Sequence, residues 1–152
     1  MYGRTNFGAM KKIIDMTNLS ASDIFLDIGH GIGNACLQAA FTVGCEARGI
    51  EVVPQRCMIS KFLTETMMEQ LKEIKHSECL TMRKIGKIYL REGSVVDPSL
   101  KTFLSSANVV LVNNSHDIFG VRLGDVQGRP TVDSYVAGIF SQLKPGSRQS
   151  FF

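Results

Sequence analysis

The 152-residue sequence predicts an α/β fold in which helices flank a mostly parallel sheet, and three observations indicate it. Short apolar runs suited to buried strands alternate with longer segments of helical periodicity. A glycine-rich turn joins the first of these strands to the next helix, and acidic or amide residues stand where several strands end. Strands that alternate with helices form parallel sheets through right-handed crossovers, and ligands bind at the carboxyl ends of such strands.

The first half of the chain predicts a helix followed by one complete β-α-β unit. Met10, Ile13 and Ile14 recur at helical spacing, and the apolar run 24–26 is typical of a buried strand. The predicted elements, in order, are a helix over 7–16, a strand over 24–27, a helix over 33–43 and a strand over 46–51.

A long amphipathic helix and three more strands are predicted in the second half. Pro54 suits a first helical turn, and apolar residues then recur at three- and four-residue steps, so we expect this stripe and its methionines to face the core. The stripe comprises Met58, Ile59, Phe62, Leu63, Met67, Leu71 and Ile74. Further on we predict strands over 87–92, 107–112 and 148–152, helices starting at 97 and spanning 131–143, and an irregular functional loop over 115–130.

Length and composition indicate one soluble globular domain. Hydrophobic residues make up 44% of the chain, charged residues 20%, and the net charge is +3. We expect an intracellular protein, since no apolar run approaches the roughly 20 residues of a membrane-spanning helix and no secretory signal stands at the N-terminus. The four cysteines are widely spaced, which favours reduced thiols and no metal site.

The glycine turn, Asp27-Ile28-Gly29-His30-Gly31-Ile32-Gly33-Asn34, is the feature most informative about function. Its glycines let the backbone take positive φ and approach a ligand, while N–H groups of the next helix face the same crevice. A dinucleotide-binding turn requires a glycine at 34, where this chain has Asn34. Asp27 would repel a pyrophosphate but attract the ammonium and sulfonium of S-adenosylmethionine. We therefore interpret the turn as a loop for that methyl donor and rank an NAD oxidoreductase last.

Three further strand ends complete the predicted site. Glu51 lies 24 residues after Asp27, at a strand end where a carboxylate can accept both ribose hydroxyls. Ser94 and Val95 follow the third strand, where adenine would lie, and Ser94 either bonds the exocyclic amine or serves only the turn. Asn113 ends the fourth strand, where its carbonyl can orient an incoming amine.

Together these motifs resemble the disruptor-of-telomeric-silencing family of non-SET histone-lysine N-methyltransferases. The resemblance covers nearly the whole chain and rests on Tyr2-Gly3-Arg4-Thr5, the glycine turn, Gly49-Ile50-Glu51 and Val112-Asn113-Asn114. It implies a Rossmann-like class I methyltransferase fold with Asn113 beside the transferred methyl group as the catalytic residue. The implied cofactor-binding residues are Tyr2, Gly3, Arg4, Thr5, Phe25, Leu26, Asp27, Ile28, Gly29, His30, Gly31, Ile32, Gly33, Asn34, Glu51, Ser94 and Val95.

The same resemblance implies an enzyme that uses S-adenosylmethionine and no metal. Its implied acceptor is a lysine amine in the globular core of histone H3, within nucleosomes, and its implied location is the nucleus. The excess of basic over acidic residues between 72 and 91 leaves a weak contact with DNA open, while a solvated face is the favoured interpretation of that stretch. Because the family's domain begins earlier and continues past the fifth strand, we expect residues 1–152 to be a core fragment of one methyltransferase domain, truncated before the last strands.

Two alternatives stay open beside histone methylation. Ser115 stands where the family has an aromatic residue, which favours a methyltransferase of the same fold acting on another protein or on a small molecule. Ser94 stands where the family has Asp, and this departure together with the missing terminal segments favours a non-catalytic module that binds S-adenosylmethionine. Arg4 stands where the family has Glu, a departure that bears on cofactor affinity.

Overall fold

A computed structural model describes residues 5–77, 84–113 and 131–151, in which strands and helices alternate. The strands are β1 (Ile24–Ile28), β2 (Glu46–Glu51), β3 (Ile88–Glu92), β4 (Val109–Val112) and β5 (Arg148–Phe151). The helices are α1 (Phe7–Thr17), α2 (Asn34–Thr42), α3 (Pro54–Ser77), α4 (Lys101–Ser105, after a 3₁₀ turn at Pro98–Leu100) and α5 (Val132–Phe140). Within the described ranges, no helix has the length and apolar character needed to cross a membrane.

The five strands form one parallel sheet in the order β3-β2-β1-β4-β5. Asp27, near the end of β1, lies opposite Gly49 of β2 and Leu111 of β4. Because the chain runs from β1 outward to β3 and then returns to β4 on the other side of β1, the order reverses between β1 and β4. A crevice opens beyond the carboxyl ends of strands at such a point. The predicted α/β fold with a parallel sheet is confirmed, with element ends that differ by a few residues.

Two hydrophobic cores cover the two faces of the sheet. One contains Phe25 and Ala47 together with residues of α1 and α2, and the other contains Leu26 and Ile50 together with residues of α4 and α5. Side chains alternate between the faces of a strand, so Asp27 shares the face of Phe25, and Glu51 that of Ala47. Both acids therefore point to the side of the sheet that carries α1 and α2.

The apolar stripe of α3 is not buried, and the prediction that its methionines face the core is wrong for Met58 and Met67. Met58 and Phe62 are about two-thirds exposed, and Ile59, Met67 and Ile74 are exposed as well. The helix meets the rest of the fold through Cys57 and Ser60, which are buried. The Ser60 hydroxyl donates a hydrogen bond to the carbonyl of Cys57, 2.8 Å away, so this polar side chain is buried with its hydrogen bond made.

Arg148 fastens the edge strand β5 to the loop between α1 and β1. Its guanidinium donates to the carbonyl of Asn18 at 2.9 Å and to that of Thr17, and forms a 2.7 Å ion pair with Asp23. Burial alone would raise the pKa of Asp23, but hydrogen bonds from Ser20 and Arg148 outweigh it, so that pKa lies below its usual value.

Arg148→Ala is expected to lower the free energy of unfolding by about 1–3 kcal/mol, because two carbonyls and a carboxylate lose their donor. Arg148→Lys should recover part of the loss, since one ammonium cannot reach all three acceptors. The folded pKa of Asp23 is depressed, so the stabilisation is present above its unfolded pKa and disappears as the pH falls towards the folded value. Urea unfolding at about pH 7 and about pH 3 measures this. An equal loss at both pH values would contradict the ion-pair contribution.

Candidate functional site

The glycine loop crosses the end of β2 before α2 begins. Gly29, Gly31 and Gly33 have φ of 80°, 57° and 88°, the left-handed region predicted for them. The N–H groups of Gly29 and His30 both donate to the carbonyl of Ile50, at 2.9 and 3.0 Å. The N–H of Gly33 donates to the carbonyl of His30 at 2.8 Å. These bonds place the loop at the carboxyl edge of β1 and β2.

Glu51 anchors this loop. One carboxylate oxygen accepts the Gly31 N–H at 2.9 Å, the other accepts the Val53 N–H at 2.9 Å, and Arg56 lies 3.9 Å away. The side chain is 97% buried, yet each oxygen keeps a lone pair for a further hydrogen bond. Sequence reasoning found Glu51 by its strand-end position, but not its bond to Gly31.

Asp27 is the second buried acid of the site. Its side chain is only 5% exposed, and within the described ranges no hydrogen-bond donor reaches its carboxylate. Burial, and secondly the negative charge of Glu51, raise the pKa of Asp27 to about 7. At neutral pH Asp27 is therefore protonated in part of the molecules. A bound cation would favour its deprotonated form.

His30 is buried within the loop. Its ring lies on Gly49, where an added Cβ would fall 2.6–2.8 Å from the ring carbons. Neither ring nitrogen has a hydrogen-bond partner in the part of the chain that the structure describes. Burial lowers the pKa of His30, against the opposing effects of the Glu51 charge and of nearby backbone groups. Gly49 was not among the predicted cofactor-binding residues, although a glycine inside a strand marks a place where another group can approach the backbone closely.

The ends of β3 and β4 complete the same edge. The N–H of Gly93 donates to the backbone carbonyl of Glu51 at 3.0 Å, which places Ser94 and Val95, both half-buried, beside the end of β2. The Ser94 hydroxyl accepts the N–H of Val96 at 3.4 Å, so it takes part in the local turn. Asn113 follows Val112, which lies opposite Ile28 at the end of β1. The structure thus brings Asp27, the loop, Glu51, Ser94 and Asn113 to one edge of the sheet.

Other predicted residues have side chains that belong to the cores or line a separate cavity. Phe25, Leu26 and Ile28 are at most 2% exposed and belong to the two cores. Thr5 and Asn34 line a cavity of about 480 Å³ between α1, α2 and α3. Tyr2, Gly3 and Arg4 lie outside the described residues, as does the predicted loop over 115–130.

Three of the four cysteines lie in the described residues. Cys36, Cys45 and Cys57 are buried free thiols, and Cys79 lies outside the described residues. In the ranges the structure covers, no group of three or more His, Cys, Asp or Glu residues is arranged to hold a metal ion.

The family described as "Histone methylation protein DOT1" matches residues 1–148. A protein of Chaetomium globosum named histone-lysine N-methyltransferase, H3 lysine-79 specific, is 32% identical over 150 residues, 97% of this chain and 26% of its own length. One of the same name from Gibberella zeae is 33% identical over 105 residues, 68% of this chain and 20% of its length. The chain therefore spans about a fifth to a quarter of these relatives.

Solved methyltransferase structures share the fold. An RNA methyltransferase of Salinibacter ruber in complex with S-adenosyl-L-homocysteine matches with a TM-score of 0.62 at 18% identity, over 99% of this chain and 79% of that one. A precorrin-6y C5,15-methyltransferase of Geobacter metallireducens matches with a TM-score of 0.65 at 12% identity, over 97% and 62%. The chain has the Rossmann-like fold of these methyltransferases.

Proposed function

This chain belongs to the DOT1 family of histone methylation proteins, and from that premise we propose that it transfers a methyl group from S-adenosylmethionine to a lysine amine of histone H3. One observation carries the proposal. The glycine loop, held by the bond from the Gly31 N–H to Glu51, lies beside a second buried acid at the carboxyl edge of the sheet. A positively charged nucleoside is the ligand class that suits two acids next to an open backbone crevice.

The residues present fit S-adenosylmethionine. Glu51 has lone pairs left for the ribose hydroxyls, and Asp27 supplies negative charge for a cationic ligand. Ser94 and Val95 are proposed to flank the adenine. Residues 25–34 are proposed to run along the cofactor, and the glycine loop within them would make the contacts, because the strand side chains lie in the cores. Residues 2–5 are proposed to cover the methionine end. When bound, the cofactor supplies an electrophilic methyl group.

Asn113 is proposed to orient the acceptor amine. It follows the end of β4 beside the end of β1, at the point where the strand order reverses. Its side-chain carbonyl can accept a hydrogen bond from a lysine amine and hold the nitrogen in line for attack. The amine must be uncharged to attack, and an apolar surrounding lowers the pKa of a lysine.

The acceptor and the location are proposals of the same kind. Relatives named as specific for lysine-79 of H3 support histone H3 as the acceptor and action in the nucleus. Engagement of a whole nucleosome, with weak contact to DNA, is proposed on the family resemblance and on the excess of basic over acidic residues between 72 and 91.

A labelling experiment tests the proposal. The protein, incubated with methyl-labelled S-adenosylmethionine and nucleosomes, is expected to label H3, and Asn113→Ala should reduce the rate at least about tenfold by loss of orientation. Gln142→Ala is the matched control, because it removes an exposed side-chain amide that lies just after α5. This variant should keep the wild-type rate.

The failure modes are distinct. Normal cofactor binding with labelling of some other protein in an extract would support a different acceptor, and binding with no labelling of any acceptor would support a non-catalytic module. An Asn113→Ala variant with the wild-type rate would remove Asn113 from the proposal.

A further inference from the structure

We propose that Asp27 makes this site selective for charge: binding of the cationic methyl donor displaces a proton from the Asp27–Glu51 pair, whereas binding of the product, whose sulfur is uncharged, displaces less. The inference rests on the proposed function and adds a means of discriminating donor from product. It names Asp27 as the residue that sets this preference.

The two carboxylates of the pair differ in the hydrogen-bond donors and positive charges around them. Glu51 receives two backbone N–H groups at 2.9 Å and has Arg56 at 3.9 Å. Asp27 lies on the adjacent strand, on the same face of the sheet and almost as deeply buried, and no donor among the described residues reaches it. The carboxylate of Glu51 therefore has hydrogen-bond donors, and that of Asp27 has none among the described residues.

Among the described residues, the other elements packed around Asp27 supply no cation. Across the sheet it faces Gly49 of β2 and Leu111 of β4, which carry no charge. From α2 it faces Cys36, a buried thiol whose pKa is raised by burial and further by Asp27. In the loop, His30 is buried, and burial lowers its pKa so that its neutral form is favoured.

Two buried carboxylates lie on adjacent strands here, and only Glu51 has hydrogen-bond donors among the described residues. This arrangement favours a proton on Asp27. The raised pKa of Asp27, about 7, agrees with this geometry. S-adenosylmethionine carries an ammonium, a sulfonium and a carboxylate, and its demethylated product lacks the sulfonium charge. The extra positive charge favours the form of the site without the proton. By linkage, the affinity for the donor rises as the pH rises through the pKa of Asp27, and the affinity for the product rises less.

Calorimetric titration with S-adenosylmethionine and with S-adenosylhomocysteine tests the inference. Each titration is made in two buffers of different ionisation enthalpy near neutral pH, so that a difference in heat counts the protons released. We expect the donor to release more protons than the product. We also expect the donor's affinity to rise about fivefold to tenfold between about pH 6 and about pH 8. Asp27→Asn should remove the difference between the buffers, and Asp133→Asn, at an exposed aspartate of α5, should leave it unchanged.

Each outcome bears on the inference separately from the proposed function. If the wild-type protein binds the donor with equal heats in both buffers, or releases the same number of protons with donor and product, the inference is overturned while the proposed function stands. If it binds neither ligand, the proposed function fails, and the inference with it. Should Asp27→Asn not fold, the pH series on the wild-type protein alone decides.

Discussion

Replacing Glu51 with Gln is expected to weaken S-adenosylmethionine binding by about 2 kcal/mol, a roughly 30-fold rise in Kd, and to destabilise the ligand-free protein by a similar amount. The carboxylate accepts the N–H groups of both Gly31 and Val53. A glutamine side chain has one acceptor oxygen, so its amide N–H groups would face one of these donors. The loop would then lose a charge-assisted bond, and the ribose would lose its acceptor.

Calorimetry measures the affinity, and urea unfolding measures the stability. Glu92→Gln is the matched control, because Glu92 lies opposite Glu51 at the end of β3 but is exposed. If the Kd of Glu51→Gln lies within about twofold of the wild-type Kd, the change is far smaller than expected, and Glu51 does not belong to the proposed site.

Gly86→Ala is expected to lower the free energy of unfolding by at least about 3 kcal/mol, or to prevent folding altogether. A Cβ at this position would lie 1.6 Å from the carbonyl oxygen of Cys45 and 2.9 Å from the carbonyl carbon of Gly44. The N–H of Gly86 is also held by the carbonyl of Ala40, at 3.0 Å. All of these neighbours are backbone atoms of α2 and of the turn before β2, so none can rotate away. The chain leading into β3 would therefore have to shift.

Gly138→Ala in α5 provides the control. Among the described residues, no atom other than those of its chain neighbours and its own helix backbone lies within 4 Å of the Cβ it would add. Alanine is favoured over glycine inside a helix, so this change should stabilise the protein by about 0.5–1 kcal/mol. Both variants are compared with wild type by urea unfolding. A midpoint of Gly86→Ala equal to that of the wild type would show that the backbone around Cys45 yields to the new methyl group.

The order of the elements and the edge that carries the site could be predicted from local pattern. Apolar runs such as Val109–Val112 belong to a parallel sheet buried on both faces, and a run of this kind is recognisable without the structure. The strand-end residues Glu51 and Asn113 were predictable for a topological reason, because all carboxyl ends of parallel strands meet at one edge.

What could not be predicted depends on contacts between distant parts of the chain. The period of α3 showed a stripe but not which side faces the sheet, and buried Cys57 and Ser60 carry too little hydrophobicity to reveal it. The packing of His30 on Gly49, and of Gly86 on Cys45, joins positions whose proximity no local pattern records. The depth of Asp27, which sets its pKa, depends on the layer of helices above it.

The bond between Gly31 and Glu51 links the shape of the crevice to the integrity of the molecule. Because this bond already fixes the loop in the folded chain, the proposed site would leave little ordering for an arriving nucleoside to impose. In that proposal one carboxylate both holds the loop and binds the ribose, so a substitution at this position would alter stability and recognition together.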